Sequence, residues 1–202
     1  FKGLKMKSSF LKASIIACAV CSFAMAEGAF IGYEGGYSFA SNWKEKTTDG
    51  ESGSVRKGQF NSGVKAGYDF DIARVYGAYI YDFKAKKTAN DEDKSVAEWK
   101  THKFIVGADY TPSVAKDLKL VLGGYTGFSK LKIKGGDAET PMESASTNGW
   151  ILGVKVGAEY SINENNAVEF GLKADRTDYG KISKFDMIDA KETNIGLYMG
   201  YT

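Results

Sequence analysis

The chain has 202 residues, a formal net charge of +2 and a mean hydropathy of −0.30. No run of about 20 apolar residues follows position 26, which excludes a transmembrane helix from the body of the chain. It does not exclude a membrane-spanning barrel, because the strands of such barrels need only about 9–11 residues each and alternate in polarity.

The N-terminal segment has the composition of a secretory signal peptide. A segment with several lysines precedes an apolar segment over 13–23, and the small residues Ala24 and Ala26 predict signal cleavage after Ala26. We therefore expect two units, which are the upstream residues and signal peptide over 1–26 and a mature domain over 27–202.

Removal of that segment changes both the charge and the cysteine content. It contains four lysines and no acidic residue, so the net charge changes from +2 to −2 and no basic excess remains for nucleic-acid binding. Cys18 and Cys21 also lie there, inside the apolar segment, where their C-x-x-C spacing indicates neither a redox nor a zinc motif. The exported domain then has no disulfide, and we expect its stability to come from closing a sheet.

Segments of the remaining chain alternate between apolar and polar residues, with the period of two that is typical of β-strands. The eight segments cover residues 29–41, 59–70, 73–84, 99–111, 118–130, 149–161, 167–178 and 191–202. In the last segment Ile195, Leu197 and Met199 lie on one face, and Gly196 and Gly200 lie on the other. The first segment has the same character, so we expect the first and last strands to pair antiparallel and close a barrel.

The connections between these segments alternate in length. Short connections follow the second, fourth and sixth segments, at 71–72, 112–117 and 162–166, and long polar ones follow the others, at 42–58, 85–98, 131–148 and 179–190. One short-looped end and one long-looped end are typical of hairpins in outer-membrane barrels. The pattern predicts an all-β fold, an eight-stranded antiparallel up-and-down transmembrane β-barrel.

One face of the predicted strands carries charged residues of both signs. These are Glu34, Lys65, Asp69, Arg74, Lys103, Asp109, Lys155, Glu159, Glu169, Lys173 and Asp175. Facing lipid near mid-membrane, such residues would each cost about 2–4 kcal/mol. Inside a small barrel they can pair, and an eight-stranded barrel is only just wide enough for its side chains to fill. We expect a plugged, non-conducting interior in which inward glycines leave room for lysine and glutamate side chains.

The opposite face carries aromatic residues near both ends of the strands. They are Tyr68, Phe70, Tyr110, Tyr160 and Tyr201 at the short-loop end, and Phe39, Trp43, Phe60, Tyr81, Phe83 and Trp150 at the long-loop end. Two aromatic rings that bracket an aliphatic belt match the two interfaces of a bilayer. We expect these aromatics to lie at the two membrane interfaces.

Three glycine- and aromatic-rich phrases carry a family resemblance: FIGYEGGY at 30–37, GVKAGY at 63–68 and GVKVGAEY at 153–160. With them the chain resembles the small bacterial outer-membrane β-barrel family that includes the opacity-like, OmpA transmembrane-domain and OmpX-like porin-family proteins. In that family the last strand usually ends in an aromatic residue that the assembly machinery reads. Tyr201 fits this pattern, and the chain stops at Thr202, one position before a terminal Phe would fall in register.

The resemblance implies a location in the outer membrane of a Gram-negative bacterium and a non-enzymatic role. That role is envelope integrity or adhesion-like surface contact through four long extracellular loops. Expected partners are outer-membrane lipid and lipopolysaccharide, the barrel-assembly machinery, and a host or envelope partner at the loops. We expect a monomer that binds no cofactor, no metal and no nucleic acid.

Three other functions are weighed against this interpretation. A lipid-modifying enzyme would use His102, the single histidine, but the residues that follow it lack the serine of a His-x-Ser pair, so we expect an interfacial role for this residue. A narrow porin would need an open lumen. A soluble lipocalin-like carrier would need an apolar interior and a polar exterior, which is the inverse of the charge pattern.

Overall fold

The computed structural model describes residues 28–47, 52–88, 96–136, 143–182 and 187–202. Its strands are β1 (Ala29–Thr47), β2 (Ser52–Asp69), β3 (Ala73–Thr88), β4 (Val96–Tyr110), β5 (Ser113–Ala115), β6 (Leu118–Gly136), β7 (Glu143–Asn163), β8 (Asn166–Ile182) and β9 (Met187–Tyr201). The predicted cleavage residues Ala24 and Ala26 lie outside the described residues. No helix in the described ranges is long and apolar enough to cross a membrane.

The long strands form one closed antiparallel sheet. Each hydrogen-bonds to its neighbours in the order β4-β3-β2-β1-β9-β8-β7-β6, and β4 pairs with β6 to complete the circle. β5 is a three-residue segment that pairs only with the start of β6, so it adds no strand to the wall. The prediction of an eight-stranded antiparallel barrel is therefore confirmed.

The seam of the barrel joins the first and last strands, as the sequence predicts. Tyr33 lies opposite Tyr201, and the pairing continues through Tyr37 opposite Leu197 with an irregularity after Ser38. Because β9 also pairs with β8 along its length, neither side of the closing strand is a free edge.

The long-looped end differs from the prediction. Most of the residues assigned to long loops are strand, and β7 reaches 21 residues. The segments between these longer strands are 48–51, 89–95, 137–142 and 183–186, and they lie outside the described residues. The predicted bounds of these long polar connections were wrong, because alternation along a strand reports only the contrast between lipid and lumen. That contrast ends near the membrane surface, whereas backbone pairing continues without it.

Inward aromatic residues also form part of the interior, beside the predicted set of charged residues. Tyr76, Ile80, Ile105, Tyr125 and Ile151 form one buried cluster inside the barrel. The rings of Tyr76 and Tyr125 lie over inward glycines on neighbouring strands. The inward glycines therefore make room for tyrosine rings as well as for charged side chains.

Gly107 shows how closely these rings pack. A Cβ atom at Gly107 would lie 2.5 Å from Cζ of Tyr76 and 2.6 Å from its hydroxyl oxygen. At Gly77, which lies one residue along from Tyr76 and is exposed on the outer face, the nearest atom to an added Cβ is the Ile105 carbonyl oxygen at 3.9 Å. The two glycines form a matched pair for testing the packing.

We expect Gly107→Ala to lower the free energy of unfolding by about 1–3 kcal/mol, because the added methyl group displaces a packed ring. Gly77→Ala should leave it within about 0.5 kcal/mol of the parent. Urea unfolding of the refolded barrel in lipid vesicles measures both. Equal urea midpoints for the two variants would contradict close packing at Tyr76.

Candidate functional site

Strand alternation brings the predicted charged residues together inside the barrel. Nine of them are buried: Lys65, Arg74, Lys103, Asp109, Lys155, Glu159, Glu169, Lys173 and Asp175. Glu34 and Asp69 are half-buried. These side chains come from β1, β2, β3, β4, β7 and β8, so the network that they form spans most of the wall.

Glu169 is the centre of this network. Its carboxylate lies 2.7 Å from Nζ of Lys65, 3.0 Å from Nζ of Lys155 and 3.4 Å from Nη1 of Arg74. The hydroxyl of Tyr198 also donates a hydrogen bond to it, at 2.8 Å. One carboxylate on β8 thus receives donors from β2, β3, β7 and β9.

Two of the three cations around Glu169, Arg74 and Lys155, also contact a second acid. Nη2 of Arg74 lies 2.6 Å from the Glu159 carboxylate, and its Nε lies 3.9 Å from that of Asp69. Nζ of Lys155 lies 2.9 Å from the Asp109 carboxylate. Charges taken out of water are tolerated when they are paired in this way, and removing one partner is strongly destabilising.

A second group of ion pairs lies closer to the end at which the long strands extend past the predicted segments, here called the long-strand end. Lys103 lies 3.0 Å from Asp82 and 3.5 Å from Asp175. The ammonium of Lys173 donates to Glu34 at 2.9 Å and to the Asn61 amide oxygen at 3.1 Å. Asp82 was left out of the predicted set, although its position on the polar face of the third segment could have identified it.

Beyond these ion pairs, a second layer of buried side chains crosses the lumen. Leu131, Tyr179 and Ala190 form a buried cluster against Trp99 and Ile133. All of them except Trp99 come from stretches that the sequence analysis assigned to loops. Positions 190, 192 and 194 continue the small and polar face of the last strand, and this continuity could have identified their inward direction.

Glu192 is buried within this layer, at 1% exposure. Its carboxylate accepts hydrogen bonds from the hydroxyls of Ser41 and Tyr179, both at 3.1 Å. Tyr179 also shares a hydrogen bond with Ser129, at 2.9 Å. The layer therefore satisfies its buried carboxylate with hydroxyl groups from β1 and β8.

At the other end, where the short connections lie, the barrel opens into a cavity of about 730 Å³. Phe30, Arg74, Glu159 and Thr202 are among the residues that line it. The guanidinium of Arg74 lies 5.5 Å from the centre of the Phe30 ring, which is a cation–π arrangement. The cavity thus reaches the Arg74–Glu159 ion pair of the network.

The outer surface carries the predicted aromatic residues. Phe39, Phe60, Phe70, Phe83, Tyr110, Trp150, Tyr160 and Tyr201 are exposed there, Tyr68 and Tyr81 are half-buried, and the side chain of Trp43 lies outside the described residues. An exposed aliphatic belt that includes Val64, Val106, Leu152 and Leu197 lies between the two levels of rings. Such a belt matches the hydrocarbon layer of a bilayer.

His102 lies on this outer face, in contact with two tyrosines. Its Nδ1 lies 2.7 Å from the Tyr79 hydroxyl oxygen, and its ring centre lies 5.0 Å from that of Tyr81. Its hydrogen-bond partner is therefore a phenol and not the serine hydroxyl of a hydrolytic pair. Within the described ranges, no group of three or more His, Cys, Asp or Glu side chains could hold a metal ion.

Comparison with known proteins assigns this chain to a family. The family model for the outer membrane protein beta-barrel domain matches residues 10–202. The chain belongs to this family. It is therefore a protein of the bacterial outer membrane, and the predicted family resemblance and location are confirmed. No curated protein sequence matches the chain significantly.

Solved structures show the same fold at low sequence identity. Ail, the attachment invasion locus protein of Yersinia pestis, was solved in complex with the heparin analogue sucrose octasulfate. It is similar over 87% of this chain and 99% of its own, at a TM-score of 0.52 and 19% identity. Neisserial surface protein A is similar over 86% of this chain and 98% of its own, at a TM-score of 0.51 and 16% identity. At such identities the likeness extends to the fold alone.

We expect Glu169→Gln to lower the free energy of unfolding by about 3–5 kcal/mol, because three buried cations lose their shared charge. Glu164→Gln, in the exposed β7–β8 turn, removes the same charge and should change it by less than about 0.5 kcal/mol. Urea midpoints in vesicles measure both. A shared midpoint would show that Glu169 does not hold the interior together.

Proposed function

We propose that the mature domain, 27–202, is a monomeric, non-enzymatic surface protein with a sealed lumen, exported after removal of 1–26. Its role is to maintain the envelope or to contact a host or envelope partner at its extracellular end. The observation that carries this proposal is the network around Glu169, which joins five strands across the lumen. Paired charges that cross the lumen stabilise the wall of the barrel and leave no open path for a transported solute.

Two different layers support the sealed lumen. The ion pairs of Glu169 and Lys103 cross its membrane-embedded part, and the layer around Leu131 and Tyr179 crosses it further out. An ion that enters would have to separate bonded pairs in a medium of low dielectric constant, where such separation is costly. This disfavours the narrow porin.

We expect the refolded protein to show no steady single-channel conductance in planar bilayers. Lys155→Ala should produce intermittent openings, because it removes the cation that joins Glu169 to Asp109. Lys116→Ala changes an exposed residue of the β5–β6 turn and should stay silent. Steady conductance of the parent protein would favour the porin instead.

The lipid-modifying enzyme has weaker support. A nucleophile that histidine activates must lie within hydrogen-bond reach of the imidazole ring. The Nδ1 atom of His102 is instead hydrogen-bonded to the hydroxyl of Tyr79. The rings of Tyr79 and Tyr81 beside it suit an interfacial anchor. The soluble carrier is excluded, because the chain belongs to an outer-membrane family and its exterior is apolar.

Long strands support a role in surface contact. Crossing a bilayer takes about 9–11 residues per strand, whereas β1 and β6 have 19 residues and β7 has 21. The excess raises paired ribbons above the membrane at the long-strand end. In outer-membrane barrels the short turns face the periplasm, so these ribbons face outward.

We expect contact to depend on the tips of these ribbons. Replacing 48–51, 89–95, 137–142 and 183–186 with two-residue turns, one tip at a time, should abolish binding to cells or envelope fractions for at least one tip. A matched replacement of the β7–β8 turn at Glu164 and Asn165 should leave binding intact. Labelled vesicles that carry the refolded proteins measure this, and binding that survives every tip replacement would contradict the proposal.

A further inference from the structure

Three lysines and one histidine cluster on the outer face of β4 and β6, a surface that the proposed function does not use. Lys100 lies directly opposite Lys132, and His102 lies directly opposite Lys130. Lys130 and Lys132 are exposed, and Lys100 and His102 are half-buried. Like charges placed directly opposite each other on antiparallel strands repel and destabilise the pair. The register therefore creates a repulsion that the strand pairing itself does not relieve.

No carboxylate of the described residues relieves it within ion-pair distance of these three lysines. Elsewhere on the outside, Lys119 lies 3.4 Å from Asp71 and Lys191 lies 3.9 Å from Asp178. Two acidic side chains lie near the cluster. Asp82 points into the lumen and pairs with Lys103, and Glu98 is buried two residues beyond Lys100 and has a partner.

The cluster lies just above the outer aromatic level. Phe128, whose ring lies 4.9 Å from that of Trp150, comes two residues before Lys130 on the same face of β6. At about 3.4 Å per residue, Lys130 lies about 7 Å further along the strand than Phe128. Ring side chains sit at the level of the headgroups, so the lysines reach the layer of headgroup phosphates.

We propose that Lys100, Lys130 and Lys132 bind the phosphate groups of lipid A, the anionic glycolipid of the outer leaflet. Three ammonium groups on two adjacent strands suit a phosphate, which accepts several charge-assisted hydrogen bonds. The bound phosphate relieves the cross-strand repulsion, and the aromatic rings below contact the acyl chains. This inference rests on the proposed orientation, in which the long-strand end faces outward.

The test uses the refolded protein in neutral maltoside micelles at low ionic strength. Lipid A, lipid A without its phosphates and phosphatidylglycerol are titrated separately, and amide NMR shifts report where each one binds. We expect lipid A to shift residues 100–104 and 128–132, and we expect the dephosphorylated form to leave them unshifted. Equal affinity for lipid A and the dephosphorylated form, or for lipid A and phosphatidylglycerol, would overturn the inference.

Two double variants complete the test. Lys130→Gln/Lys132→Gln should weaken lipid A binding roughly 10- to 30-fold, at about five-fold per lysine. Lys116→Gln/Lys119→Gln removes the same charge at the opposite end of the barrel, where the short connections lie, and should change binding less than about two-fold. Equal weakening in both variants would overturn the inference. It would not affect the conductance and ribbon-tip results, which test the proposed function separately.

Discussion

Closure of the backbone ladder is the constraint on which the rest of this structure depends. In the hydrocarbon layer no water satisfies backbone N–H and C=O groups, so a sheet can cross only if its first and last strands pair. β1 and β9 do so from Tyr33 opposite Tyr201 to Thr47 opposite Met187. Eight strands then enclose a lumen only just wide enough for side chains. Every inward residue must therefore find its partners across that narrow space.

The lumen meets this demand in two ways. Where the inward side chains are charged, they form a connected network in which Glu169 and Lys155 each bond to more than one partner. Where they are aromatic, the rings of Tyr76 and Tyr125 lie over glycines of the adjoining strand. The hydroxyl of Tyr125 also donates to Asp175, so the aromatic packing and the ion pairs belong to one interior.

The sequence predicts the part of this structure that the membrane imposes. Alternation over 59–70 or 167–178 identifies each crossing, and the face that carries Lys65 or Glu169 can only point inward, because lipid excludes charge. Alternation fails as a predictor of strands beyond the membrane, where the two faces of a strand no longer meet lipid on one side and the lumen on the other. Tyr179 and Ala190 were hidden in a stretch that reads as a polar loop, although backbone pairing continues through it. Partners within the lumen could not be derived either, because they depend on the tilt and stagger of the strands and not on spacing along one strand.

Register also explains why like charges occur in pairs on this barrel. Inside, Lys155 lies opposite Lys173 and Glu159 lies opposite Glu169. Each of these four side chains has an oppositely charged partner within 3.0 Å. Outside, Lys100 opposite Lys132 repeats the arrangement, but no such carboxylate of the described residues lies beside it. In open water, screening over about 8–10 Å would make this inexpensive. At the headgroup level, next to an apolar belt, the counter-charge that the lumen draws from its own side chains has to come from the surrounding lipid.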